Sequence, residues 1–202
     1  VWKTKLKTTG EIYAIKIMSK IKIISRHCEE NIKRERNILS KLYHPLIINM
    51  YLAFQDSLYL YLMIDYLSGG DLRYHLNRQK TFSETQTKFF ISNIILALEY
   101  IHNHQIIHRD IKPENLVFES NGYLRITDFG VAKKNENNNS TNTSGTPGYM
   151  APEVIFMQGH SYPADYFALG VIGYEIILGH RPYSGKTRKQ IKENMFNTQA
   201  KI

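Results

Sequence analysis

The sequence predicts an α+β protein of two lobes, a small antiparallel β-sheet lobe carrying one helix and a larger, mainly helical lobe. Three observations predict it. Strand-like runs rich in β-branched and aromatic residues fill most of the first third of the chain. A single helical pattern, 28–42, interrupts them. Helical periodicity then takes over after the Ser68-Gly69-Gly70 break. The boundary falls near 66–70, and a cleft between the lobes is the expected place for a ligand.

Residues 1–18 read as two strands around a Thr9-Gly10 turn, so a β-hairpin opens the chain. In 28–42, Ile32, Leu39 and Leu42 recur at helical spacing among charged residues until His44-Pro45 stops the pattern. Strands are predicted at 47–54 and 58–66. Helices follow at 71–78 and 83–102, the second opened by Ser83 and Gln86 at capping-box spacing. Short strands at 116–118 and 124–127 flank Asn121-Gly122, a strong hairpin signal. The polar Asn/Ser/Thr run 135–144 buries too little apolar surface to order itself and reads as a mobile loop. Helices at 164–178 and 188–196 complete the prediction.

A net charge of +8 raises the question of a nucleic-acid partner. The basic residues are spread along amphipathic segments, where a solvated helix face accounts for them, and no recognition-helix, zinc-finger or aromatic RNA-binding pattern accompanies them. No nucleic-acid partner is expected. The longest apolar stretches, near 89–101 and 167–179, are too short and too polar to span a bilayer. One cysteine, Cys28, excludes an internal disulfide framework and fits a reducing, cytoplasmic compartment.

The chemistry is carried by four motifs in one order: AIK at Ala14–Lys16, HRDIKPEN at His108–Asn115, DFG at Asp128–Gly130 and APE at Ala151–Glu153. Any one tripeptide is weak; all four, ordered and each in the expected strand, loop or turn, leave chance negligible. Together they resemble the signature set of eukaryotic-type serine/threonine protein kinases, over nearly the whole chain. The resemblance implies a catalytic domain using ATP and Mg²⁺ to phosphorylate protein hydroxyls. It also implies division into 1–66, part of the small lobe without its glycine-rich phosphate loop, and 67–202, part of the large lobe without its last helices. Val1 matches the closing valine of that loop.

Phosphoryl transfer passes through a loose transition state, so positioning and charge neutralisation are what the protein supplies. Lys16 would pair with the α and β phosphates, oriented by Glu35, with Glu29 and Glu30 as alternatives. Asp110 would orient the attacking hydroxyl, and Lys112 would contact the γ-phosphate and mark the serine/threonine type. Asn115 and Asp128 offer hard oxygen ligands for Mg²⁺. The nucleotide-binding residues implied are Val1, Ala14, Lys16, Ile64, Asp65, Leu67, Asp71, Glu114, Asn115, Val117 and Asp128. Leu39, Met50, His108 and Phe129 match an internal hydrophobic stack, and Asp165 a brace of the catalytic loop, with helix N-capping as its alternative.

GTPGYMAPEV and DYFALGVIGYE resemble the AGC group, relatives of the cyclic-nucleotide-dependent kinases, although Gly148 and Phe167 depart from it. In that group acidic residues matching Asp71, Glu114 and Glu175 read arginines upstream of the target serine or threonine, which implies basic substrates. Arg109 before Asp110 goes with control by an upstream activating kinase acting on the loop that holds Ser140, Thr141, Thr143 and Ser144. Thr146 matches a threonine that touches the substrate loop. The rival reading is a truncated kinase or pseudokinase serving as a binding module; Lys16, Asp110, Asn115 and Asp128, all present, argue against the pseudokinase.

Overall fold

The structure is a computed structural model and describes residues 1–135, 144–159, 161–185 and 187–197. Strands β1 (Trp2–Lys5), β2 (Ile12–Ser19), β3 (Met50–Gln55) and β4 (Tyr59–Asp65) form an antiparallel sheet in the order β1-β2-β4-β3. Gly10 turns the first hairpin at φ 79°, a conformation glycine adopts without steric cost. Between β2 and β3 lie α1 (Lys20–Ser25) and α2 (Glu29–Leu39). Helix α2 buries Glu35, Ile38 and Leu39, one stripe at helical spacing, and leaves its basic residues outside.

Helix α1 went unassigned in the sequence because Lys20-Ile21-Lys22-Ile23 alternates with period two, as a strand would. It forms through the Ser19 cap, whose Oγ accepts from Lys22 N, and it buries no residue. Two predicted boundaries also shift. Ile47 and Ile48 precede β3 and are buried against the large lobe, where Ile48 N donates to Ile126 O at 2.9 Å. Residues 40–42 lie beyond α2, although Leu42 remains in the core.

The large lobe is built on α3 (Leu72–Gln79), α4 (Glu84–Asn103) and α6 (Pro163–Leu178), with α5 (Pro152–Ile155) and α7 (Arg188–Asn197) beside them. The predicted capping box opens α4: Ser83 Oγ accepts from Gln86 N while Gln86 Oε1 accepts from Ser83 N. Phe90, Ile94, Ala97, Leu98 and Ile101 form its buried stripe. Helix α6 ends at Gly179, whose N–H donates to Glu175 O in a left-handed cap.

Two small antiparallel pairs lie between these helices. The predicted hairpin is β6 (Leu116–Phe118) with β7 (Leu124–Ile126), tied to α4 where Asn93 Oδ1 accepts from Leu124 N. The other pair, β5 (Ile106–Ile107) with β8 (Lys133–Lys134), is too short to announce itself by periodicity. One contiguous core joins the lobes, from Leu39 in α2 through Phe129 to Ile172 in α6. Most of the run predicted to be a mobile loop, 136–143, lies outside the described residues.

Candidate active site

A cavity of about 440 Å³ opens between the sheet and the large lobe. Its apolar wall includes Val1, Ala14, Ile64, Leu67 and Val117; its polar end includes Lys16, Glu35, Asn115 and Asp128. The strand register explains part of this. Ala14 lies opposite Ile64 and Lys16 opposite Leu62, so alternate residues of β2 and β4 present one face to the cavity. A larger groove, about 550 Å³, lies between α1, α2 and strands β3 and β4, and it carries none of the motif residues. The motif residues therefore gather at the smaller of these two cavities.

Lys16 Nζ donates to Glu35 Oε1 at 2.6 Å. Glu35 is buried, with 4% of its side chain exposed, while Lys16 keeps 30% exposed toward the cavity. Burying a carboxylate is costly unless it is paired, so Glu35 and Lys16 fix each other's positions. Burial of Ile38 and Leu39, one turn along α2, turns Glu35 inward. Glu30, the alternative partner, pairs at the surface with Lys33.

Asp165, 1% exposed, holds the start of the 108–115 loop. It accepts from His108 N at 2.9 Å and Arg109 N at 2.8 Å, and His102 Nε2 lies 2.8 Å from its Oδ2. It is not an N-cap: Tyr162 occupies that position and Asp165 sits within the first turn of α6. Arg109 and Asp128 take positive φ, 68° and 62°, which costs a non-glycine residue energy that the surrounding bonds must offset. His108 is wholly buried, its ring 4.9 Å from that of Phe129 and its Nε2 3.1 Å from Thr127 O. Leu39 and Phe129 share one core, and Met50 packs against it.

Around Asp110 the polar groups close into a ring. Lys112 Nζ is 2.7 Å from Asp110 Oδ2 and donates to Thr146 Oγ1 at 2.8 Å; the Thr146 hydroxyl donates to Asp110 Oδ1 at 2.7 Å. Asn115 Nδ2 donates to Asp110 O at 2.9 Å and Oδ2 at 3.1 Å. Burial alone would push the Asp110 carboxyl up. The bonds from Lys112 and Thr146 and the Lys112 charge outweigh it and hold the carboxyl below its ordinary range. Gly145 makes the close approach possible: at φ 126°, a Cβ there would stand 2.6 Å from Arg109 O.

Two expectations are corrected. Asp71 and Glu114 do not line the cavity: Asp71 Oδ1 caps α3 by accepting from Tyr74 N at 2.7 Å, and Glu114 turns to Arg73. Of the three acidic residues expected to read substrate arginines, Glu114 and Glu175 are occupied from within, since Arg73 binds both, and Asp71 spends one oxygen on the α3 cap. Asp65 lines the cavity, with its backbone N–H donating to Asn49 O and its carboxylate taken by Asn49, Tyr51 and Arg125. Arg73 is the residue the sequence reading missed; the available signal was its place in the first turn of the helix that Asp71 caps.

This geometry is that of a two-lobed domain with a cleft between a sheet and a helical lobe, apolar along one wall and lined by a lysine, two carboxylates and an asparagine at its polar end. The chain belongs to the protein kinase domain family, whose model matches residues 1–202. Among its relatives are serine/threonine-protein kinase 32B of Homo sapiens, 41% identical over 95% of this chain and 48% of the relative; the cAMP-dependent protein kinase catalytic subunit of Dictyostelium discoideum, 41% over 86% and 27%; and serine/threonine-protein kinase Sgk1 of Homo sapiens, 38% over 92% and 44%. The chain spans less than half the length of these curated relatives. Among the described residues no helix is long and apolar enough to cross a membrane.

Proposed function

We propose that the protein transfers the γ-phosphoryl group of ATP to serine or threonine hydroxyls of protein substrates. One observation carries this reading: the Lys16–Glu35 pair, Asp128 and Asn115 line one cavity, and Asn115 is bonded directly to Asp110, beside which Lys112 and Thr146 stand. The apolar wall suits a purine. Lys16 contributes a compact cation to the phosphates. Asp110, ionised, accepts or orients the proton of the acceptor hydroxyl, a task in which position matters more than basicity. Lys112 and the Thr146 hydroxyl hold Asp110 where that hydroxyl must arrive.

The residues present fit a divalent cation. Among the described residues no group of three or more His, Cys, Asp or Glu forms a metal cage, whereas two protein oxygens suit Mg²⁺, which is bound by few side chains together with substrate phosphates. Asn115 spends its amide N–H on Asp110, and no described donor reaches its Oδ1. Asn115 and Asp128 would hold the ion, which neutralises phosphate charge.

Phosphorylation by an upstream kinase is the regulation this reading favours. Arg109 is anchored by its Nε to Val131 O at 2.7 Å, and its Nη1 is buried with no partner among the described residues. Burial and the nearby Arg34 charge lower its pKa against the pull of Asp165, and the negative charge of an added phosphate would oppose that shift. Transfer of labelled phosphate from ATP to a serine peptide, by the full-length protein and its Asp128→Ala and Asp110→Asn variants, tests the function. Loss in both variants is expected; equal transfer by all three refutes the assignment.

A further inference from the structure

Arg73 stands between two carboxylates on the face that carries Asp110. Its Nε–H donates to Glu114 Oε1 at 2.9 Å, its Nη1–H to Glu175 Oε1 at 3.0 Å and its Nη2–H to Glu175 Oε2 at 3.1 Å. Nη2 also meets the Tyr149 hydroxyl, which donates to Glu175 Oε2 at 2.5 Å. The guanidinium thus forks onto Glu175 and spends its remaining edge on Glu114, the bidentate geometry that makes arginine the best partner for a carboxylate. Side-chain exposure is 25% for Arg73, 8% for Glu175 and 43% for Glu114. Burial alone would loosen the Arg73 proton; the bonds to Glu175 and Glu114 outweigh it and raise its pKa above the ordinary arginine value.

A second arginine adjoins the first. Gly148, at φ 96°, leaves room that Arg181 fills: a Cβ on Gly148 would lie 2.3 Å from Arg181 Nη1. The same guanidinium donates to Pro147 O at 3.4 Å and sits 5.6 Å from the Tyr149 ring centre. Arg181 therefore adds a second positive charge beside Tyr149, whose hydroxyl meets both Arg73 and Glu175. The patch reaches the reacting end of the site along the chain: Tyr149 is three residues past Thr146, and Glu114 two past Lys112.

We propose that Arg73 is a specificity-determining residue: it fills, from within the chain, the place an arginine of a protein substrate would take between Glu114 and Glu175, so the protein does not select basic residues upstream of the acceptor hydroxyl. This rests on the phosphotransfer function proposed above. An incoming arginine would find Glu175 with both oxygens engaged, and it would meet the charges of Arg73 and Arg181. Neutral segments pay no such cost.

The test compares kcat/KM of the full-length protein on two serine peptides that differ only in carrying arginine or alanine two and three residues before the serine. In the wild type the ratio is expected within about threefold, and Glu114→Gln leaves it there. Arg73→Leu frees both carboxylates and raises the ratio for arginine about tenfold or more, the worth of one hydrogen bond to a charged group. A wild-type preference above tenfold that Glu114→Gln abolishes overturns the proposal, as does a folded Arg73→Leu variant with an unchanged ratio. Should Arg73→Leu not fold, the wild type and Glu114→Gln decide. Phosphorylation of the alanine peptide with strong arginine preference sinks the specificity claim alone; no phosphorylation of either peptide sinks the phosphotransfer reading and this proposal with it.

Discussion

Asp165→Asn keeps the size of the side chain and removes its charge, so it isolates what the buried carboxylate does for the catalytic loop. Asp165 Oδ2 accepts from His108 N and faces His102 Nε2, while Oδ1 accepts from Arg109 N. An asparagine retains one acceptor. It does least harm by keeping its oxygen at the Oδ2 position, which turns its NH₂ toward the Arg109 N–H, donor against donor. One charge-assisted bond is lost, about 1.5–3 kcal/mol, and a buried N–H is left without a partner, about 1–3 kcal/mol more. The sum, about 2.5–6 kcal/mol, corresponds to a fall in Tm of about 5–24 °C for a domain of this size. Arg109 holds a positive φ of 68°, so relaxation there moves Asp110, its neighbour. Misplacement of about 1 Å at a reacting group costs on the order of 100-fold in kcat. Thermal melting by circular dichroism and steady-state phosphotransfer at saturating ATP measure the two effects. A Tm within about 2 °C of wild type, with kcat unchanged, would refute the claim that Asp165 sets the loop.

Gly145→Ala places a Cβ 2.6 Å from Arg109 O at a φ of 126°, so it is expected to cost about 1–3 kcal/mol and to weaken catalysis by displacing Thr146, read as a lower Tm together with a lower kcat. The pH dependence follows from the depressed Asp110 pKa. A carboxylate whose folded pKa lies below its unfolded value adds stability above about pH 4, and that stability is lost as pH falls through the folded value. Lys112→Met removes one of the attractions that oppose burial, so Asp110 should titrate higher and the acid limb of the pH–rate profile should move up; a limb that stays in place would count against the Lys112 contact.

Much of this architecture was legible because local chemistry and tertiary demand agree. The Ser83–Gln86 box and the Asn121-Gly122 turn each specify one backbone geometry, and both formed as predicted. The 28–42 periodicity located α2 because the stripe that reads as apolar also turns Glu35 toward Lys16. What escaped has physical causes. In α1 a strand-like alternation is overridden by a cap, and in β5 and β8 two-residue strands fall below any period. Loop residues such as Asp110 and Asp128 could be proposed from motif order, but their grouping depends on long-range bonds from Asp165 and Thr146.

The acidic subsite shows why residue identity alone misleads. Glu114 and Glu175 stand at positions that imply a demand for arginine, and for Glu175, 8% exposed, the demand is real, since a buried carboxylate needs a cation. The chain meets it with Arg73, which is 102 residues from Glu175 and 41 from Glu114, so its place in the α3 first turn is local but its pairing is not. A motif states which charge a site requires, whereas only the folded chain shows whether that requirement is left open to a substrate. Here α3 supplies the cation through Asp71, because the cap that starts the helix also sets the direction of its first turn, on which Arg73 lies. One aspartate expected to bind a ligand thus works by placing the arginine that closes the neighbouring subsite.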